Sequence, residues 1–178
     1  LSDSDGQLHF VREDLASLVT AVRDNDAPLV SDVPTYTMEK DEDIHTGITT
    51  YGVDVTTSIG DLQGAELTIE GNNHSIIGSH TDEETGETTN YGGITVGEGK
   101  TLNVNNVLDA NGFDGAFITN AGTVNVTSST ISSELSNSGE LSLTDSNVNS
   151  SISNTNELNI YAHDGINSTI SSITDNQT

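Results

Sequence analysis

Residues 118–169 read ITNAGTVNVTSSTISSE, LSNSGELSLTDSNVNSS and ISNTNELNIYAHDGINST, three copies of one pattern. Ile118, Leu135 and Ile152 open the copies 17 residues apart, and Asn120, Asn137 and Asn154 follow at the same spacing. Apolar pairs recur in phase with them: Val124/Val126, Leu141/Leu143 and Leu158/Ile160. A later apolar position is filled by Ile131, then Val148, then, one residue late, Ile166. A fixed period marks a repeat architecture, in which each unit buries its apolar side only against its neighbours. A period this short is one coil of a β-solenoid.

The strict apolar–polar alternation inside each copy predicts short strands. Lys100–Val104 (KTLNV) takes the same slot as TVNV, ELSL and ELNI. The expected inward stacks are therefore Val96/Ile118/Leu135/Ile152, Leu102/Val124/Leu141/Leu158 and Val104/Val126/Leu143/Ile160. Parallel pairing along the axis would set these residues about 4.8 Å apart. Asn120, Asn137 and Asn154 fall at a corner, where stacked amides can hydrogen-bond along the axis and Asn tolerates left-handed backbone. That column is a structural ladder. Gly122 and Gly139, with Asn156 in the third copy, fit a second bend that needs positive φ. The fold class is all-β, a parallel β-helix.

Composition is consistent with this only because a solenoid is quasi-one-dimensional. The chain has 178 residues, 31% apolar and 4% aromatic, with no Trp and a net charge of −24. Such values lean toward disorder in a globular setting, but each coil of a solenoid needs only a few inward side chains. The chain lacks Cys, so disulfides and thiolate chemistry are excluded. With only Arg12, Arg23, Lys40 and Lys100 to meet phosphate, neither nucleic acid nor an anionic bilayer is an expected partner. No apolar run reaches the roughly 18 residues of a membrane span. The acidity serves solubility and self-repulsion, and its sharper reading is a salt-rich habitat.

Ahead of the repeats the pattern changes. Residues 1–28 form a polar lead-in and a helix: Val11, Leu15, Leu18, Val19 and Val22 stand at helical spacing, and Asp24-Asn25-Asp26 and Pro28 stop it. An amphipathic helix there is expected to cap the apolar end of the first coil. Residues 29–178 then make the β-helix. Its early part offers the strand candidates Leu29-Val30, Thr35–Met38, Ile48–Thr50 and Val53–Thr57, with Lys40–Asp43 as a solvated charged turn. Asp61–Gly64 turns the chain into Ala65–His80, the first well-formed coil expected from the sequence.

Two interruptions stand out. Residues 79–92 (SHTDEETGETTNYG) are a long polar excursion, of the sort that is functional or mobile. Residues 111–115 (NGFDG) lengthen the coil from Leu102 to Val124 to 22 residues. After Ile170 and Ile173 no helix or polar cap follows, which predicts a piece of a longer solenoid or a subunit whose open end meets another molecule.

Leu67–Gly78 (LTIEGNNHSIIG) resembles the "TIDGNGHTISG" coil common in bacterial parallel β-helix proteins. The series NAGTVNV, NSGELSL and NTNELNI is similar to the repeats of autotransporter-type adhesin passengers. The resemblance covers roughly residues 65–170 and is a family-level pattern. It implies a right-handed β-helix displayed at the cell surface or outside the cell. Many members of that family are adhesins or self-associating proteins, and a minority carry hydrolase or protease domains.

Enzymatic chemistry has little support in the residues. Lyases of this fold use an Arg or Lys base beside acidic calcium ligands, whereas Lys100 has no acid column beside it. Hydrolases need two carboxylates about 5–9.5 Å apart, and the stacked Glu140 and Glu157 stand at turn positions. Asp109–Gly115 has the wrong registration for a calcium loop, since Phe113 occupies a ligand slot. The five His residues show no ligand spacing, and the Ser/Thr slots are too irregular for an ice-binding array. No catalytic residue, metal site or obligatory cofactor is expected, although the acids of the excursion are of a kind that collects Ca²⁺ weakly. Asn-x-Ser/Thr acceptor patterns begin at Asn73, Asn125, Asn149 and Asn167.

The expectation is thus a non-enzymatic extracellular rod acting in adhesion or self-association. Its partners would be a host or neighbouring-cell surface, glycans or identical subunits. The candidate contact loop holds Asp82, Glu83, Glu84, Glu87 and Tyr91. The alternatives are an extracellular filament or surface-layer subunit stacking through its open end, and a polysaccharide-binding or -cleaving β-helix.

Overall fold

The structure is a computed structural model that describes residues 35–43, 58–61 and 65–174. The expected capping helix, Leu29-Val30, Ile48–Thr50 and Val53–Thr57 lie outside the described residues. The chain winds through β1 (Thr35–Thr37), β2 (Glu42–Asp43) and β3 (Ser58–Asp61), then β4 (Glu66–Glu70) and β5 (Ile76–Ile77). A side hairpin follows, β6 (Ser79–Thr81) and β7 (Thr88–Asn90), before β8 (Gly92–Val96). The next coils are β9 (Thr101–Asn105), β10 (Ala110–Asn111), β11 (Ala116–Asn120), then β12 (Thr123–Thr127), β13 (Thr130–Ile131), β14 (Glu134–Asn137). The last are β15 (Glu140–Thr144), β16 (Asn147–Asn154), β17 (Glu157–Tyr161) and β18 (Thr169–Thr174).

These strands stack into a parallel β-solenoid. One face is a six-stranded sheet in the order β1-β4-β9-β12-β15-β17. A ten-stranded sheet supplies a second face (β2-β5-β10-β13) and a third (β14-β11-β8-β3), which β16 joins as one eight-residue strand. β18 pairs with β16 on the far side. Each coil therefore visits three faces, and the last two coils flatten the second corner into continuous strand.

The repeat's alternation explains the core. In TVNV and KTLNV every second side chain points inward, giving Leu67/Leu102/Val124/Leu141 and Ile69/Val104/Val126/Leu143, all no more than 2% exposed. Leu158 and Ile160 continue these two columns in register. Burying each such aliphatic stabilises by about 1.5–3 kcal/mol relative to exposure, so these columns hold a chain that is poor in apolar residues.

Several expectations are corrected. Ile118 pairs with Ile94, and Val96 pairs with Asn120. Both Ile94 and Val96 are buried, so alternation alone left the register two residues ambiguous. The position after Ile131 and Val148 is taken by Ile170, while Ile166 is 50% exposed. The last coil carries an insertion before Ser168, which moves the inward slot past Ile166.

Ahead of Ala65, the strand candidate Thr35–Met38 contributes β1, which is already stacked on β4. Tyr36 pairs with Ile69, and Glu42, expected in a solvated turn, is 6% exposed opposite Ile76. The Tyr36 hydroxyl donates to the Glu42 carboxylate, which is how a charged residue occupies an inward slot. Gly122, Gly139 and the three ladder Asn residues are not among the positive-φ positions. A Cβ on Gly122 would strike the carbonyl oxygens of Lys100 and Gly97, and one on Gly139 the carbonyl of Gly122. Those glycines are there for close approach of coils. The left-handed corner is elsewhere, at Asn106, Ser128 and Asp145, with φ of 51°, 50° and 50°.

Candidate functional site

The Asn ladder is a continuous chain of side-chain hydrogen bonds. Asn120 Nδ2 donates to Asn137 Oδ1 at 2.7 Å, and Asn137 Nδ2 to Asn154 Oδ1 at 2.6 Å. Each amide also closes its own corner: Asn137 Nδ2 reaches the Glu157 and Gly139 carbonyls at 2.9 and 3.1 Å, while its Oδ1 accepts the Gly139 N–H at 3.2 Å. All three residues are at most 2% exposed. With both ends of every amide engaged, the column acts as a spine of the rod.

A second ladder escaped the sequence reading. Ser129 Oγ donates to the Thr127 carbonyl at 2.8 Å and accepts the Val107 N–H at 3.0 Å. Ser146 Oγ repeats this with Thr144 and Ser129, and Ser168 Oγ accepts the Ser146 N–H at 3.1 Å. These hydroxyls satisfy backbone groups next to the left-handed corner. The signal was present as Ser129 and Ser146 at the 17-residue period, but serine in a polar run reads as surface.

The acidic excursion is an antiparallel hairpin, β6 with β7, that forms its own two-stranded sheet. Asp82 turns back into the tip: its Oδ1 accepts the N–H groups of Glu84 and Thr85 at 2.9 and 2.8 Å. The Thr85 backbone N–H, then its side chain, then the Glu84 N–H hold the Asp82 carboxyl below the ordinary aspartate range. Glu83, Glu84 and Glu87 remain exposed around the tip.

Tyr91 is placed differently from those acids. It is 8% exposed at the hairpin base, where its N–H donates to the Gly78 carbonyl and its carbonyl accepts the Asp114 N–H. Gly78 N–H in turn donates to the Asn111 carbonyl at 2.7 Å. The excursion and the 111–115 bulge, far apart in sequence, thus form one corner of the rod. Beneath it Phe113 and Phe117 pack with ring centroids 4.9 Å apart. Any Cβ on Gly78 would collide with the Phe113 ring, so the glycine lets hairpin and bulge close on each other. Asp109 holds Asn111 Nδ2 at 2.8 Å through one carboxylate oxygen, and its other oxygen is buried without a hydrogen bond.

On the last coil, Asp145 clamps the insertion that precedes Ser168. Its carboxylate accepts the His163 backbone N–H at 2.8 Å and meets His163 Nδ1 at 2.6 Å. The His163 N–H first, and the ring second, hold the Asp145 carboxyl below its ordinary range. Among the described residues no three His, Cys, Asp or Glu side chains are placed to share a metal ion, and no helix is long and apolar enough to cross a membrane. No protein-family model, no curated protein and no solved structure matches the chain.

Proposed function

We propose that this chain is a non-enzymatic, extracellular surface rod that acts in adhesion or self-association. The observation that supports the reading is the unbroken register of the first face. From β4 to β17 each strand pairs with the next without a slip, so outward groups recur rung after rung. Thr68, Asn103, Asn125, Ser142 and Asn159 form one such outward column. Contacts that are weak at each rung then add along a rigid scaffold, which suits this column to a repetitive glycan and the same rung spacing on another face to a like rod.

The test uses beads coated with the chain. They are expected to cluster with one another or to be captured on a glycan array, with soluble chain competing. Beads that do neither better than beads coated with an unrelated protein of matched acidity would overturn the reading.

A second reading, end-to-end stacking into a filament or surface layer, is favoured by one contrast. Ile160 and Ile173 are 45% and 40% exposed, whereas Leu143 and Ile152, one coil below in the same columns, are fully buried. One further stacked layer of strands would cover them. Filaments in negative-stain images, absent after Ile160→Lys, would select this reading.

A further inference from the structure

We infer that the third face of the solenoid is the surface through which two copies of this chain associate, by matching like hydroxyl columns; this rests on the self-association reading above. The face carries an outward column that stays in register across five strands: Thr95 with Thr119, Thr119 with Ser136, Ser136 with Ser153, and Ser153 with Thr174. Asp61 stands at the register position just ahead of Thr95. Downstream of it the strands of this face contain a single charged residue, Glu134. The first face by contrast carries Glu66, Glu70, Glu140 and Glu157 on its strands.

Charge selects the occupant. A molecule of net charge −24 repels its own copies wherever carboxylates face each other. Its approach to itself is less opposed on the third face than on the first, where acids recur. Chemistry selects the same occupant. Carboxylates only accept hydrogen bonds, whereas each Ser or Thr hydroxyl both donates and accepts, so a hydroxyl column is complementary to another hydroxyl column. Two rods related by a twofold axis would present the same patch to each other, with rungs at the common spacing of about 4.8 Å.

The hydroxyls are also uncommitted. Among the described residues none of these five makes a side-chain hydrogen bond. On the other faces several polar side chains are bonded internally. Asn103 donates to Glu66 and Thr68, Asn125 to Asn103, and Thr169 to Asn147. Thr95 and Thr119 are exposed on strands bounded by buried neighbours, which fixes their direction outward.

Sedimentation velocity over a concentration series, at low salt and at 1 M NaCl, tests the inference on the whole chain. The unaltered chain should associate, and more strongly in high salt as repulsion is screened. Thr119→Glu with Ser136→Glu should raise the dissociation constant at least about tenfold, while Thr127→Glu with Ser142→Glu on the first face should not. An equimolar mixture of the Glu pair with a Thr119→Lys/Ser136→Lys pair should associate again, which a merely misfolded variant would not do. Association of the unaltered chain that survives the third-face Glu pair, or that the first-face pair disrupts equally, overturns the assignment and leaves the broader reading standing. A chain that is monomeric at every concentration and salt overturns the assignment too, and if its beads also capture no glycan the broader reading falls with it.

Discussion

Asn120 and Asn137 lie 17 residues apart in sequence and meet through their side-chain amides at 2.7 Å. The contact is one link of a buried chain, so the middle residue carries partners on both sides. Asn137→Ala would leave Asn120 Nδ2, Asn154 Oδ1 and the Glu157 carbonyl each short of a partner. Stranding buried polar groups costs about 1–3 kcal/mol each, partly relieved by relaxation. The expected loss for Asn137→Ala is about 2–4 kcal/mol in urea unfolding, larger than for Asn120→Ala, which ends the ladder against Val96. Equal losses at both positions would contradict the ladder.

Gly139 has a different role from the loop glycines. Its Cβ would meet the backbone of Gly122 and Ala121, which cannot rotate away. Gly139→Ala should therefore force adjacent coils apart and cost about 1–3 kcal/mol. Gly97→Ala meets only the Lys100 side chain at 3.8 Å and should shift stability by about 0.5 kcal/mol or less. Thermal unfolding of the two variants side by side checks the difference.

Glu42 and Tyr36 pose a buried-pair question. Tyr36→Phe removes one hydrogen bond from a 6%-exposed carboxylate, with an expected cost of about 1–3 kcal/mol. Replacing the acceptor as well, Tyr36→Phe with Glu42→Leu, puts an aliphatic at the head of the Ile76/Ala110/Ile131/Val148 column. The double variant should recover most of the loss. If it is as unstable as Tyr36→Phe alone, the pair has a role beyond filling an inward slot.

How much of this was legible in sequence depended on what each coil contained. The coils from Thr123 to Ile160 carry aliphatics in phase, and their register could be read directly from the letters. The coil from Thr35 could not, because Glu42 occupies an inward slot and a buried carboxylate has the letter of a surface one. Ile94 and Val96 are both inward and two residues apart, so only the neighbouring strand decides which faces Ile118. The hairpin and the 111–115 bulge were each visible as an interruption. Their meeting was not, since it depends on the coil spacing that brings Gly78 under Asn111. The candidate contact residues separate for the same reason: the acids stand at a hairpin tip, while Tyr91 is packed at its base.

The hairpin should be separable from the rod. Among the described residues β6 and β7 pair only with each other, and Asp82 braces its own tip. Replacing residues 82–87 with Asn-Gly is expected to keep the solenoid's unfolding free energy within about 1 kcal/mol. If the tip acids contact a partner, glycan capture by coated beads should fall while the unfolding midpoint stays put. Loss of both together would mean that the hairpin is part of the scaffold.

The Asp145 clamp gives the last coil a pH dependence of definite sign. The His163 N–H and ring favour the charged carboxylate, so its folded pKa lies below its unfolded one. The stabilisation is thus present in full above the unfolded aspartate value and is lost as pH falls through the lower folded value. Hydrogen exchange at the His163 amide should report this: protection persists from neutrality into mild acid, then disappears once Asp145 protonates. Asp145→Asn should weaken the protection at neutral pH and remove its carboxylate titration, while the Asn120–Asn137–Asn154 ladder stays protected in both proteins. A His163 amide that exchanges equally fast at neutral pH and at pH 2, after correction for intrinsic rates, would mean that the insertion is not held by Asp145.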